Sequence, residues 1–108
     1  TFTGSKYCLL TKSGTQSLEV GLRCLGVGLG NYVITTPYTF IATISAIKAV
    51  GAIPLFADID KDTWNIDPNN IEKLIKQFGK QVRCILTVDI FGNPCNYNRI
   101  FELSKHSI

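Results

Sequence analysis

Short apolar runs and amphipathic stretches alternate along this chain, and their periods assign its elements. Tyr7 to Thr11 is an apolar run closed by Ser13 and Gly14, the pattern of a strand buried on both faces. From Thr15, Leu18, Leu22 and Leu25 recur at i, i+4 and i+7, which predicts a helix with Gly26 at its carboxyl end. Tyr32 to Thr36 reads as the next strand. Phe40 to Val50 carries Ile and Ala on every side, the composition of a helix covered all round, and Gly51 ends it. A third strand is predicted over Ile53 to Ile59. Asp67 then serves as an N-cap, Pro68 takes the first helical turn, and Ile71, Leu74, Ile75 and Phe78 form an apolar stripe before Gly79. Val82 to Val88 is a fourth β-branched run, and Asn96 to Lys105 a last helix with Ile100 and Leu103 inward. This order predicts an α/β fold with a mostly parallel, doubly wound sheet and right-handed crossovers.

Length and composition narrow the class. With 108 residues there is room for one domain, and 45% hydrophobic against 18% charged residues is globular composition. Phe40 to Ala57 is eighteen residues long with Lys48 as its single charge, long enough for a membrane span, but Gly51 and Pro54 interrupt it, so a buried helix followed by a strand is expected. The net charge is +3, and the densest basic set, Lys73, Lys76, Lys80 and Arg83, falls at helical spacing beside Glu72. That spacing suits a solvated helix face, and no nucleic-acid partner is expected. Cys8, Cys24, Cys84 and Cys95 include no C-x-x-C pair, and His106 is the sole histidine, so no zinc-ligand spacing exists. Cys8 and Cys84 sit in apolar runs, which predicts reduced, mostly buried thiols in a cytoplasmic protein. The chain contains no methionine, so Thr1 is expected to be an internal position of a longer protein.

Several motifs carry candidate chemistry. Gly26-Val-Gly28-Leu-Gly30 imitates a dinucleotide fingerprint, but it leaves a helix and enters a strand, the reverse of what a pyrophosphate site needs, so it reads as a connection. Asp58, Asp60 and Asp62 imitate a calcium loop, yet Thr63 and Asn69 occupy the places of its glycine and glutamate, which leaves a turn. His106 has no partner nucleophile and receives no role. Ser13-Gly14-Thr15 does open a helix after an apolar run. Its amides and the Thr15 hydroxyl suit a phosphate, and Ser or Thr there serves equally as a plain cap. Pro37-Tyr38-Thr39-Phe40 falls at the carboxyl end of a strand, where α/β sheets bind ligands; Phe40 suits either stacking on a planar ring or core packing.

Taken in order, Ser13-Gly-Thr-Gln-Ser-Leu18, Leu25-Gly-Val-Gly-Leu-Gly30, Val33-Ile-Thr-Thr-Pro-Tyr-Thr-Phe-Ile-Ala-Thr43, Val50-Gly-Ala, Phe56-Ala-Asp-Ile-Asp60, Thr63-Trp-Asn-Ile-Asp67 and Phe91-Gly-Asn-Pro94 resemble the DegT/DnrJ/StrS family of pyridoxal-phosphate-dependent sugar aminotransferases. The resemblance implies a fold-type I transferase, with residues 1–108 as the first part of the large cofactor domain and with the small C-terminal domain outside the chain. It implies that Gly14 and Thr15 hold the cofactor phosphate and that Phe40 stacks on the pyridine ring. The family's Schiff-base lysine and pyridine-pairing aspartate have no match here, and Lys12, Lys48 and Lys105 are not assigned the role. No catalytic residue is therefore placed in this segment.

The activity so implied is amino transfer, with glutamate as donor, to a keto group on a nucleotide-linked sugar; some members of the family replace the lysine and run a dehydration. The family also implies a homodimer with the cofactor near its interface. In its topology the first strand is separated from the second by later strands, so Tyr7 to Thr11 is expected to lack sheet neighbours in this segment, leaving it marginal or prone to association. Two other readings remain open: a nucleotide-binding oxidoreductase on a Rossmann sheet, and a non-catalytic remnant of a truncated gene.

Overall fold

A computed structural model describes residues 2–105. Its elements are α1 (Gly14–Cys24), β1 (Tyr32–Thr35), α2 (Ile41–Ala49), β2 (Ile53–Phe56), α3 (Pro68–Phe78), β3 (Val82–Ile85) and α4 (Tyr97–Lys105), with short 3-10 turns at Gly79–Gln81 and Ile90–Gly92. The three strands form one sheet in the order β2-β1-β3. Both pairings are parallel: Ile34 of β1 faces Leu55 of β2 on one side and Ile85 of β3 on the other.

Because side chains alternate across a strand, neighbouring residues of β1 serve opposite faces. Val33 packs with Leu22 of α1, Ala46 and Ile47 of α2, and Cys84 of β3. Ile34 packs instead with Ile71 and Ile75 of α3, Ile100 and Leu103 of α4, and Val82 of β3. Helices thus cover both faces of the central strand, and Val33 and Ile34 are fully buried. This is the doubly wound α/β arrangement that the alternation of runs predicts.

Local chemistry fixes the helix ends where the sequence places them. The Asp67 carboxylate accepts from Asn69 N–H at the start of α3, and Pro68 occupies its first turn. Gly26, Gly51 and Gly79 stand past the ends of α1, α2 and α3 with φ of +72°, +83° and +55°, a region that costs other residues steric strain. On the outer side of α3, Glu72 pairs with Lys76 on its own helix and with Arg99 of α4, each at 2.9 Å. On the basic face of α3, Lys76 is thus held by an acidic neighbour on the same helix. No helix among the described residues is long and apolar enough to cross a membrane.

Several expectations are corrected. Tyr7 to Thr11 forms no strand, and Tyr7, Leu9 and Leu10 are exposed. A strand needs a neighbour to receive its backbone hydrogen bonds, and among the described residues this run has none. Cys8, on the same run, is exposed rather than buried, as is Cys24; only Cys84 and Cys95 lie inside. Leu25 falls just beyond the last turn of α1 and is exposed, while Val27 supplies the inward contact. The helix expected to be covered all round buries Thr43, Ala46 and Ile47 but leaves Phe40 and Ile41 in solvent, because only one side of α2 meets the sheet and α1. β2 stops at Phe56; Ile59 makes instead a lone antiparallel bridge with Ile66. β3 stops at Ile85, short of Val88. Thr1 and His106 lie outside the described residues.

Burial lifts the Cys95 thiol from an ordinary 9.0 to about 11, with the nearby Asp89 carboxylate adding to the effect. A raised value means that this thiol's contribution to folding is present below pH 9.0 and fades as the pH climbs toward about 11. In a labelling time course at about pH 8, Cys8 and Cys24 should react first, whereas Cys84 and Cys95 should wait for unfolding. Prompt labelling of all four thiols in the folded chain would contradict this core.

Candidate functional site

The loops after the three strands all emerge at one edge of the sheet. Successive strand connections that leave on opposite faces open a crevice at the carboxyl ends, and here β1 leads to α2 on one face while β3 leads to α4 on the other. The crevice therefore opens beside the segments 36–40 and 86–93. Thr35 Oγ1 donates to Leu86 O at 2.8 Å and Leu86 N–H to Ile34 O at 2.8 Å, binding the two strand ends together beneath it.

α1 brings its amino end to this same edge. Arg23 Nη2, in the last turn of α1, donates to Ala49 O at the end of α2 at 3.2 Å, so the two packed helices share their carboxyl ends. Their amino ends, at Gly14 and Ile41, consequently both point toward the strand ends.

Four backbone N–H groups open every helix without an intrahelical partner. In α1, Ser17 N–H reaches Ser13 O at 3.0 Å, and Gln16 N–H is capped by Ser13 Oγ at 3.2 Å. Among the described residues this leaves the amides of Gly14 and Thr15 with no protein acceptor. Gly14 has no unusual backbone angle, and a Cβ added there would meet nothing within 4 Å. Neither strain nor the protein's own packing requires glycine at this exposed helical position, where it is roughly 1 kcal/mol less favourable than alanine. What its bareness provides is close access to two amides at the positive end of a helix. Ser13 is thus the cap, and the Gly14 and Thr15 amides beside it stay without a protein acceptor.

Phe40 resolves similarly. It precedes α2 in an extended conformation and is 77% exposed, so it is no part of the core. The acidic turn also takes its plain reading. Asp60 Oδ1 accepts from Asp62 N–H, Thr63 N–H and Thr63 Oγ1 at 3.0, 2.8 and 3.0 Å, and these bonds, led by the Thr63 amide, hold its carboxyl below the ordinary range. A cleft of about 430 Å³ lies beside this turn, between Asn65, Asp67, Pro94 and Arg99; Gly14, Thr15 and Phe40 do not line it.

Sequence reasoning missed Asn65. This residue is 4% exposed. Its Nδ2 donates to Asn93 O at 3.0 Å and to Pro94 O at 3.1 Å, and its Oδ1 accepts from Ile90 N–H at 3.2 Å. Asn65 so ties the loop after β2 to the loop after β3, and Asn93 Nδ2 adds a bond back to Thr63 O at 3.3 Å. Asp89 braces the second loop from within: its Oδ1 accepts from Cys95 N–H at 2.9 Å and from Tyr97 Oη at 2.8 Å, and the Cys95 amide in particular keeps its carboxyl below the usual range. The only trace of this in the sequence is the pair of turn-rich stretches Thr63–Asp67 and Phe91–Pro94, whose mutual contact no spacing reveals.

A parallel sheet covered on both faces, with bare helix amides at its carboxyl edge, defines a doubly wound α/β protein. The model of the DegT/DnrJ/EryC1/StrS aminotransferase family matches residues 1–107, and the chain belongs to that family. It is 37% identical over 100 residues to GDP-perosamine synthase of Escherichia coli O157:H7, covering 93% of this chain and 27% of that protein. Among solved structures, an aminotransferase from Psychrobacter cryohalolentis superposes with a TM-score of 0.88 at 38% identity, over 94% of this chain and 25% of its own. NtdA from Bacillus subtilis, solved with bound cofactor PMP, gives 0.80 at 33% identity over 89% and 21%. The chain thus spans about a quarter of the length of the relatives it matches.

Replacing Asn65 by Ala strips partners from one part-buried N–H and two carbonyls, and the unfolding free energy should drop by about 2 kcal/mol. Asn65→Asp, which sets a carboxylate oxygen against the Asn93 and Pro94 carbonyls, should be no better tolerated. Denaturant unfolding of the whole protein measures both, and wild-type stability in either variant would remove Asn65 from this role.

Proposed function

We propose that the whole protein is a pyridoxal-phosphate-dependent aminotransferase that moves an amino group, with glutamate as donor, onto a keto group of a nucleotide-linked sugar. Membership of the aminotransferase family supports the reaction class, and the names of relatives such as GDP-perosamine synthase support the substrate class. The observation that carries the reading is the pair of uncommitted amides at Gly14 and Thr15, beside a glycine that the chain's own packing does not need.

The residues present fit the cofactor. The Gly14 and Thr15 amides, with the Thr15 hydroxyl, receive its phosphate, and the helix dipole favours the dianion. Phe40 offers an exposed ring at the same edge as a flat wall for the pyridine. When bound, the cofactor supplies an electron sink for carbanion character at the substrate carbon. The lysine and aspartate that complete this chemistry belong to the part of the protein outside residues 1–108, as do the small domain and the surface of a homodimer. The enzyme works in the cytoplasm, where its thiols stay reduced.

Titrating the complete protein with pyridoxal phosphate and with NAD separates this reading from a Rossmann-type oxidoreductase. Uptake of pyridoxal phosphate, weakened roughly tenfold by Thr15→Val, is the expected result, since a hydrogen bond to a charged group contributes on the order of 1.5–3 kcal/mol. Nicotinamide binding without pyridoxal phosphate uptake would overturn it. The segment 1–108 alone should show no transamination, and measurable turnover by it would contradict the assignment of the catalytic groups.

A further inference from the structure

The loops at the carboxyl ends of the three parallel strands each contribute a ring to one cluster: Tyr38 after β1, Trp64 after β2 and Phe91 after β3. The rings meet. Tyr38 lies 5.4 Å from Trp64 and 6.4 Å from Phe91 between centroids, with interplanar angles of 49° and 67°. They remain open to solvent, Tyr38 at 39%, Trp64 at 49% and Phe91 at 83% exposure.

Two further facts set this cluster apart from incidental surface aromatics. Trp64 and Phe91 are the two non-glycine residues with positive φ among the described residues, at +64° and +54°. Such angles disfavour bulky side chains, and strain of this kind persists only where the surroundings enforce it. The enforcing group is Asn65, which adjoins Trp64 and accepts from Ile90 N–H, the residue before Phe91, while holding Asn93 O and Pro94 O. One buried amide therefore clamps both strained residues, and the rings it fixes stay uncovered.

We infer that Tyr38, Trp64 and Phe91 form a stacking platform for the planar heterocycle of the substrate, the base of a nucleoside diphosphate. This rests on the proposed function for the identity of the ligand; the platform itself rests on the geometry. Area favours a small planar partner over a second protein surface. Three partly covered rings present on the order of a few hundred Å², below the roughly 800 Å² a side that a stable protein interface buries. Stacking tolerates any base, since every base has a π face, so the platform selects for the presence of a heterocycle and leaves the choice of base to other groups.

The test compares binding of UDP, dTDP and GDP with binding of inorganic pyrophosphate by calorimetry, using the complete protein loaded with pyridoxal phosphate. The ratio of the two affinities isolates what the base contributes. Trp64→Gly and Phe91→Gly relieve the backbone strain while deleting a ring, so the fold is expected to persist, and each should reduce the ratio about tenfold. Trp64→Phe should restore most of it. A wild-type ratio near unity, or a ratio unchanged in both glycine variants, overturns the platform; so does a shift from dimer to monomer in Trp64→Gly with the ratio intact, which would assign the rings to contact between copies. Pyridoxal phosphate uptake is followed separately by its visible absorption. Failure of uptake with the ratio and its mutational loss intact would sink the proposed function and leave the platform standing.

Discussion

One strand carries the architecture. β1 has a hydrogen-bonded neighbour on each side and helices on both faces, so Val33, Ile34 and Thr35 are buried, and the Thr35 hydroxyl donates to Leu86 O. The sheet's two packing layers are separated by the single step from Val33 to Ile34, and slipping the register by one residue would exchange every contact in both layers. Because both neighbours are parallel to it, all three carboxyl ends face the same way, and their loops are forced together at one edge. Those loops share an edge as a consequence of strand polarity, before any ligand is considered.

What could be read from the sequence follows the range of the interaction involved. The cap at Asp67, the proline at Pro68 and the glycines after three helices act within a turn of their own position, and each appears as expected. The strand at Tyr7 to Thr11 has the right composition and fails because strandness is a property of a pair. Its apolar residues say that it can enter a sheet; only a neighbour makes it do so, and the described residues provide none. Exposure of Ile41 on a helix expected to be covered all round has the same origin, since composition states what a surface tolerates and not what is present to cover it.

The candidate site divides along the same line. Gly14 and Thr15 stand out in the sequence because an apolar run, a glycine and a hydroxyl residue fall in the order that exposes helix amides. The structure adds that Ser13 takes the capping duty, which leaves its two neighbours uncommitted. Asn65 and the strained rings beside it are illegible by comparison. The hydrogen-bond partners of Asn65 lie 25 to 29 residues away, and nothing in an Asn or a Trp announces a positive φ or a buried amide.

That difference bears on how this edge is built. Helix amides need no support from distant residues, because the helix aligns them wherever it begins. Aromatic rings on loops have no such intrinsic order, and three of them from three strands would scatter unless something joined the loops. Asn65 does this with three hydrogen bonds made from a buried side chain. A hydrophobic residue in its place would fill the space but could not satisfy an N–H and two carbonyls at once, so the loops would separate to hydrate them. The polar clamp is therefore what allows apolar rings to remain on the surface in a fixed arrangement.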